Sequence, residues 1–345
     1  MLGLALILSA CGGTNPFREE PVVTPVVEPD PDTGTPIAGD RTLPPGTSSP
    51  SAATGLFRRE PTSDEDAGNG TLQTITRLPN DTFAVTGLAF DGGNTYTRTG
   101  PVTSLGPYAV YEAANLYPDQ VTNTAINQLT HRALYGVSPT GDVGFAIVRT
   151  GAYVGYGFGG FVYQRNGSVT LPTTGQATYA GAYAGLRDFD GVGGLEYSTG
   201  TMRIDIDFDA FTGQTGAAQA AVKGSVTNRQ IFDINGNPVT RTILDALEAE
   251  HGLQYDSLPA IIFEIGPNVM DSNGEIVGNH ANSLNTSTGA IEFETGQYYA
   301  ILSGDVTQGT ASNIVGIIVT TSTADERFTG DVTVRETGGF ILGRQ

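Results

Sequence analysis

Apolar residues recur at every second position through much of the chain, and that period restricts the folds it can adopt. Over 202–208, Met202, Ile204, Ile206 and Phe208 fall on one face while Arg203, Asp205 and Asp207 take the other, which is the alternation of a half-buried strand. The same alternation, or a short apolar run, marks 83–90, 109–113, 143–150, 153–164, 177–186, 196–211 and 217–226. Further candidate strands are 260–265, 290–294, 297–305, 313–321 and 327–342. One helix is predicted, over 242–251: Ile243, Leu244 and Leu247 share a face, Thr242 with Asp245 reads as a capping pair, and Gly252 marks the stop. Residues 121–130 fit a helix or a loop equally well. Asn235-Gly236 and Asn273-Gly274 are expected in type I′ hairpin turns, which need positive φ. With 47 glycines and 15% charged residues, the chain lacks the density of helix formers that a bundle needs. The predicted fold is mainly β, as a barrel or sandwich, because closure removes exposed strand edges.

The net charge of −19 excludes a nucleic-acid binder, which displaces counterions with a basic surface. Cys11 is the only cysteine, so neither an intrachain disulfide nor a thiolate metal cage is available. Cys11 follows the apolar run 2–10, which ends Leu8-Ser9-Ala10, and precedes Gly12-Gly13. The run is shorter than the ~20 residues that span a bilayer and fits a signal-peptide core. It resembles a bacterial lipoprotein signal, which implies cleavage after residue 10 and acylation of Cys11. Gly12 stands where Asp would imply inner-membrane retention in that class, so the resemblance implies the outer membrane. Residues 12–68 hold ten of the nineteen prolines and no regular apolar period. Such a segment buries too little surface to offset its ordering entropy, so 11–68 is predicted to be a disordered tether.

The stretch Leu171-Pro172-Thr173-Thr174-Gly175-Gln176-Ala177-Thr178-Tyr179-Ala180-Gly181-Ala182-Tyr183-Ala184-Gly185 resembles the opening of the β-barrel domain of transferrin-binding protein B-like surface lipoproteins. Ile206-Asp207-Phe208, Gly224-Ser225-Val226-Thr227-Asn228 and Gly338-Gly339-Phe340-Ile341-Leu342 are similar to the same pattern. The resemblance implies a C-terminal antiparallel eight-stranded barrel over 175–345, preceded by a small mixed handle-like β-rich domain over 69–174, in a single lobe.

Other motifs carry less. Gly155-Tyr156-Gly157-Phe158-Gly159-Gly160 spells a dinucleotide fingerprint, but strand-like Phe161-Val162-Tyr163-Gln164 follows where the motif needs a helix N-terminus. Asp32-Thr33-Gly34 spells an aspartic-protease triplet but sits among prolines. Asp205, Asp207 and Asp209 share a strand face that is expected to be solvated rather than metal-binding. His131, His251 and His280 are scattered in sequence and form no metal or triad spacing. Tyr153, Tyr156, Tyr179, Tyr183, Tyr298 and Tyr299 are either interface anchors or, more simply, barrel packing.

These readings predict no catalytic residues, no metal ligands and no cofactor. The expected function is a lipid-anchored surface protein, held to the membrane through Cys11, that binds a macromolecule or solute through barrel or handle loops. An integral outer-membrane barrel or pore, or a secreted hydrolase with a dispersed site, is the alternative. The barrel interior is expected to be filled by side chains, which leaves recognition to the long connections 187–194 and 227–257. Residues 69–345 carry 13 basic and 26 acidic groups, so steering would favour a basic or metal-bearing partner.

Overall fold

The computed structural model describes residues 42–345, apart from 63–69, 89–94, 114–116, 125, 127–129, 152–154, 211–219, 267–268 and 310. Eight strands in the C-terminal part form a closed antiparallel barrel: β11 (Gln176–Phe189), β12 (Leu195–Asp207), β13 (Ala221–Phe232), β14 (Ile261–Phe263), β15 (Glu275–Thr286), β16 (Gly289–Asp305), β17 (Ser312–Ala324) and β18 (Thr333–Arg344). Each pairs with the next, and β18 returns to β11 through pairs such as Tyr183 with Phe340. The helix α1 (Thr240–His251) lies in the connection between β13 and β14. Its Ile243, Leu244 and Leu247 pack with Ile231, Leu284 and Phe293 of the barrel strands.

Alternation places one residue in two inside the barrel. Met202, Ile204, Phe263, Tyr298, Ile318 and Phe340 belong to its apolar interior. Phe263 stacks on Tyr298 with centroids 3.6 Å apart. The pair fits because Gly224 and Gly278 face it: a Cβ on Gly278 would meet the Tyr298 hydroxyl at 2.4 Å. A bulge in β13, opposite Thr199 and Thr201, holds Asn228 at φ 53° and shifts the period by one residue. Val226 is packed in the apolar interior, while Arg229, beyond the bulge, joins a buried ionic layer. There Arg229 bonds both oxygens of Glu294 at 2.5 and 2.8 Å and reaches Glu336 at 3.1 Å. Glu336 also accepts from Tyr183 at 2.6 Å and Ser198 at 2.8 Å. Burial opposes the charge on Glu336, but Arg229 and Arg187 outweigh it and hold the carboxyl below its ordinary pKa. Burial, and then the negative Glu336, push the Tyr183 hydroxyl well above its ordinary value.

The N-terminal part is a curled sheet of β1 (Leu56–Arg59), β2 (Thr74–Leu78), β3 (Thr82–Thr86), β4 (Thr95–Thr97), β5 (Ser104–Leu105), β6 (Tyr108–Ala113), β7 (Arg132–Val137), β8 (Val143–Arg149) and β9 (Gly159–Arg165). The strand order is β1-β9-β8-β7-β6-β4-β3-β2, with β5 pairing β6 off the main path. One face, carrying Leu134, Phe145 and Phe161, shares a core with Leu186, Tyr197 and Ile317 of the barrel wall. Polar contacts cross the same junction. Arg58 bonds Glu275 at 2.6 and 2.8 Å, and Arg149, paired with Glu60 within the N-terminal part at 2.9 Å, reaches Thr337 of the barrel at 2.8 Å and Asp188 at 3.6 Å. Burial raises the Asp188 carboxyl above its ordinary pKa against the pull of Arg335 and Arg149 beside it.

Several expectations need correction. Residues 56–59 were expected in the tether, yet they form β1 and pair with β9, Leu56 opposite Arg165. The fold therefore reaches back into the Pro-rich segment, because Leu56 and Arg58 find buried partners there. The short β10 (Val169–Thr170), assigned to the handle-like domain, pairs in parallel with β16 of the barrel. Residues 187–189 and 227–232, expected in loops, lie in β11 and β13, so those connections shorten to 190–194 and 233–260. Residues 290–305 form one bulged strand where two were expected. The helix begins at Thr240 after Val239, which makes no side-chain cap; Asp245 pairs with Arg241 at 2.7 Å instead of capping. Gly252 does end it, at φ 70°. In both Asn-Gly turns only the glycine has positive φ, at 85° for Gly236 and 74° for Gly274. The expected type I′ geometry gives way because Asp233 and Asp271 accept from the backbone N–H two and four residues on. Strand 153–164 starts only at Gly159, with Gly155 and Gly157 before it at positive φ.

Candidate binding cleft

The curled sheet bends until its two terminal strands line one cleft. Strands β7 to β9 point Ala133, Ala146, Val148 and Val162 away from the barrel, and β3, β4 and β6 fold over that face. The cover is aromatic: Phe83 stacks on Tyr96 at 5.0 Å and meets Tyr111 edge-on at 4.6 Å. Phe83 reaches on to Tyr135, ring centroids 6.2 Å apart, and Phe57 packs against the same cluster. Between Phe57, Tyr135 and Gln164 on one side and Ile75 on β2 opens a cleft of about 480 Å³, within the size range of ligand sites. Ala146 and Val162 are buried on its lining; Phe57, Ile75 and Tyr135 are half-buried.

The cleft is apolar with few polar groups. Gln164 and Asn166 bond each other at 3.0 Å on one side. On the β2 side stands Arg77, the only charged side chain among the described lining residues. Arg77 is exposed, and its charge reaches Asp81, whose carboxyl lies below its ordinary pKa, chiefly because it accepts from Tyr111. Among the described lining residues there is no histidine, cysteine or carboxylate. A second cleft, about 250 Å³, lies between Leu105 and Gly106 of the curled sheet and Tyr197, Phe232 and Gly236 of the barrel part.

No protein-family model and no curated protein matches the sequence. Among solved structures, the chain is similar to a single mutant of transferrin binding protein B from Haemophilus parasuis Hp5, at 12% identity and a TM-score of 0.36, covering 84% of this chain and 45% of that one. A double mutant of the same protein gives 14% identity and a TM-score of 0.33, covering 69% and 37%. A structure described as a surface lipoprotein gives 10% identity and a TM-score of 0.28, covering 59% and 76%. The chain thus spans less than half of either mutant protein that it matches.

The residues singled out from sequence are not brought together. His131 lies beside β7, His280 inside the barrel and His251 at the end of α1. Burial lowers the His280 pKa, and its Nε2 lies 3.0 Å from the Val319 carbonyl. Asp205 and Asp207 are buried rather than solvated: Asp205 pairs with Arg203 at 2.7 Å and accepts from Thr178, and Asp207 accepts from Gln176. Among the described residues no group of three His, Cys, Asp or Glu side chains is arranged for a metal. Tyr179, Tyr183, Tyr298 and Tyr299 are buried, and Tyr156 lies under the Arg335 guanidinium at 4.3 Å. Cys11, the Asp32 triplet, Tyr153 and residues 125 and 127–129 lie outside the described residues, and the described residues of 121–130 form a turn and irregular chain. Sequence reasoning did not find the cleft. Its lining comes from β1, β2, β7, β8 and β9, and no local pattern joins Phe57, Ile75, Tyr135 and Val162.

Proposed function

We propose that the protein is a non-catalytic binding module of the bacterial cell surface that seats its ligand in the cleft of the curled sheet. The observation that carries this reading is the meeting of the two ends of one sheet around an apolar space with a single cationic side chain. A lipid-facing barrel is disfavoured by the outward positions of β12 and β13, where Arg203, Asp205 and Lys223 stand opposite an apolar interior. A dispersed hydrolase site gains no support from histidines on three separate elements. Lipid attachment at Cys11 completes the proposal: Cys11→Ser is expected to move the protein from the membrane pellet to the soluble fraction, and unchanged sedimentation would refute the anchor.

The cleft is tested with anilinonaphthalene sulfonate, an apolar anionic dye. One saturable site is expected. Gln164→Trp, which fills the cleft from a half-buried strand position, is expected to weaken binding by about tenfold, the effect of losing roughly 1.4 kcal/mol of contact. Dye affinity unchanged by Gln164→Trp would overturn the assignment.

A further inference from the structure

The two strands that flank the cleft differ at their outer edges. The edge of β1 is covered by its own chain: Thr47 donates to the Phe57 carbonyl at 3.0 Å, Arg59 donates to Pro45 at 2.9 Å, and Gly46 bridges to Arg58. Strand β2 pairs with β3 along its whole length, Thr74 with Thr86 through Leu78 with Thr82, and with no other strand among the described residues. Every second residue of an edge strand directs its N–H and C=O away from its neighbour. The five residues of β2 therefore present two or three such groups beside the cleft. Thr74-Ile75-Thr76-Arg77-Leu78 holds neither Pro nor Lys, and Arg77 is its one charged residue.

We propose that the cleft takes an extended peptide segment that adds to β2 as a further strand, with a carboxylate side chain against Arg77. The proposal rests on the cleft being the binding seat. Backbone pairing with β2 supplies the polar contacts, and alternate ligand side chains point into the space beside Phe57, Ile75, Tyr135 and Val162. Arg77 sets the charge preference. The protein as a whole carries −19, but screening limits that field to about 10 Å at 0.1 M salt, and the charge lining the cleft itself is positive. A segment of alternating β-branched or aromatic residues with one Glu or Asp fits this lining, whereas a basic segment meets Arg77 unfavourably.

The full chain would be panned against a displayed library of peptides about ten residues long. Enriched sequences are expected to alternate apolar and polar residues and to carry Glu or Asp. The best of them would be synthesised in two N-methylated forms, each blocking one set of alternate amides. One form is expected to lose about 30-fold in affinity, two to three backbone hydrogen bonds' worth, while the other changes less than about threefold, because only one peptide edge faces β2. Arg77→Glu, an exposed change, is expected to lower affinity by about tenfold through like-charge repulsion. No enrichment, or equal sensitivity to both N-methylated forms, would overturn strand addition. If the dye still binds in a manner sensitive to Gln164→Trp, the cleft as a seat survives that failure; if the dye also fails, both readings fall.

Discussion

Arg229→Ala is expected to destabilise the folded protein by about 3–5 kcal/mol, the usual effect of removing one partner from a buried ion pair. Arg229 is 2% exposed, and its guanidinium lies between the carboxylates of Glu294 and Glu336. Without it, two buried negative groups face each other with part of their compensation gone. Glu336 keeps its bonds from Tyr183 and Ser198, and Arg187 remains at 3.4 Å. Glu294 keeps only the Asn282 amide among the described side-chain donors. The remedy follows from the same physics: Arg229→Met combined with Glu294→Gln and Glu336→Gln removes the charges together and is expected to recover most of the loss. Denaturant unfolding followed by circular dichroism measures both. A loss below about 1 kcal/mol for Arg229→Ala would mean that water reaches this layer.

Phe145→Ala is expected to cost about 3–5 kcal/mol as well, as large-to-small changes of buried aromatics do, but at the junction of sheet and barrel. Phe145 meets Tyr108 edge-on at 5.0 Å. Its ring lies where a Cβ on Gly339 or on Gly136 would stand, 2.2 and 2.4 Å away. Tyr108 extends the contact, donating to the Ala182 carbonyl and accepting from the Ile341 amide, each at 2.8 Å. The chain has no tryptophan, so Gln164→Trp places a lone fluorophore on the curled sheet. In that background Phe145→Ala is expected to lower the fluorescence transition by more than the circular-dichroism transition, which is dominated by the barrel. Coincident transitions displaced equally would show that the two parts unfold as one cooperative unit.

Much of the barrel was legible because most of its interior is apolar and keeps a strict period of two. The signal faded where that period breaks. The reading of β13 ended at Val226, immediately before the bulge at Asn228 shifts Arg229 and Ile231 inward. Strand β15 was missed because His280 and Asn282 occupy inward positions between Ile276 and Leu284. Their partners, Thr320 and Glu294, lie on other strands. Arg58 looked like a tether residue for the same reason, since its partner Glu275 is 217 positions away. A polar residue inside a barrel is indistinguishable in sequence from one in a loop until its partner is known. The cleft was illegible on stronger grounds: it is made by the curvature of a sheet whose end strands, β1 and β2, never pair.

Hydrogen exchange on the full chain, with and without the anionic dye, tests the central claim most directly. If the ligand seat is the cleft of the curled sheet, the dye slows exchange in Thr74–Leu78 and Gly159–Arg165 and leaves the barrel connections 190–194 and 233–260 unchanged. Protection confined to those connections would place the site at the barrel and contradict this account.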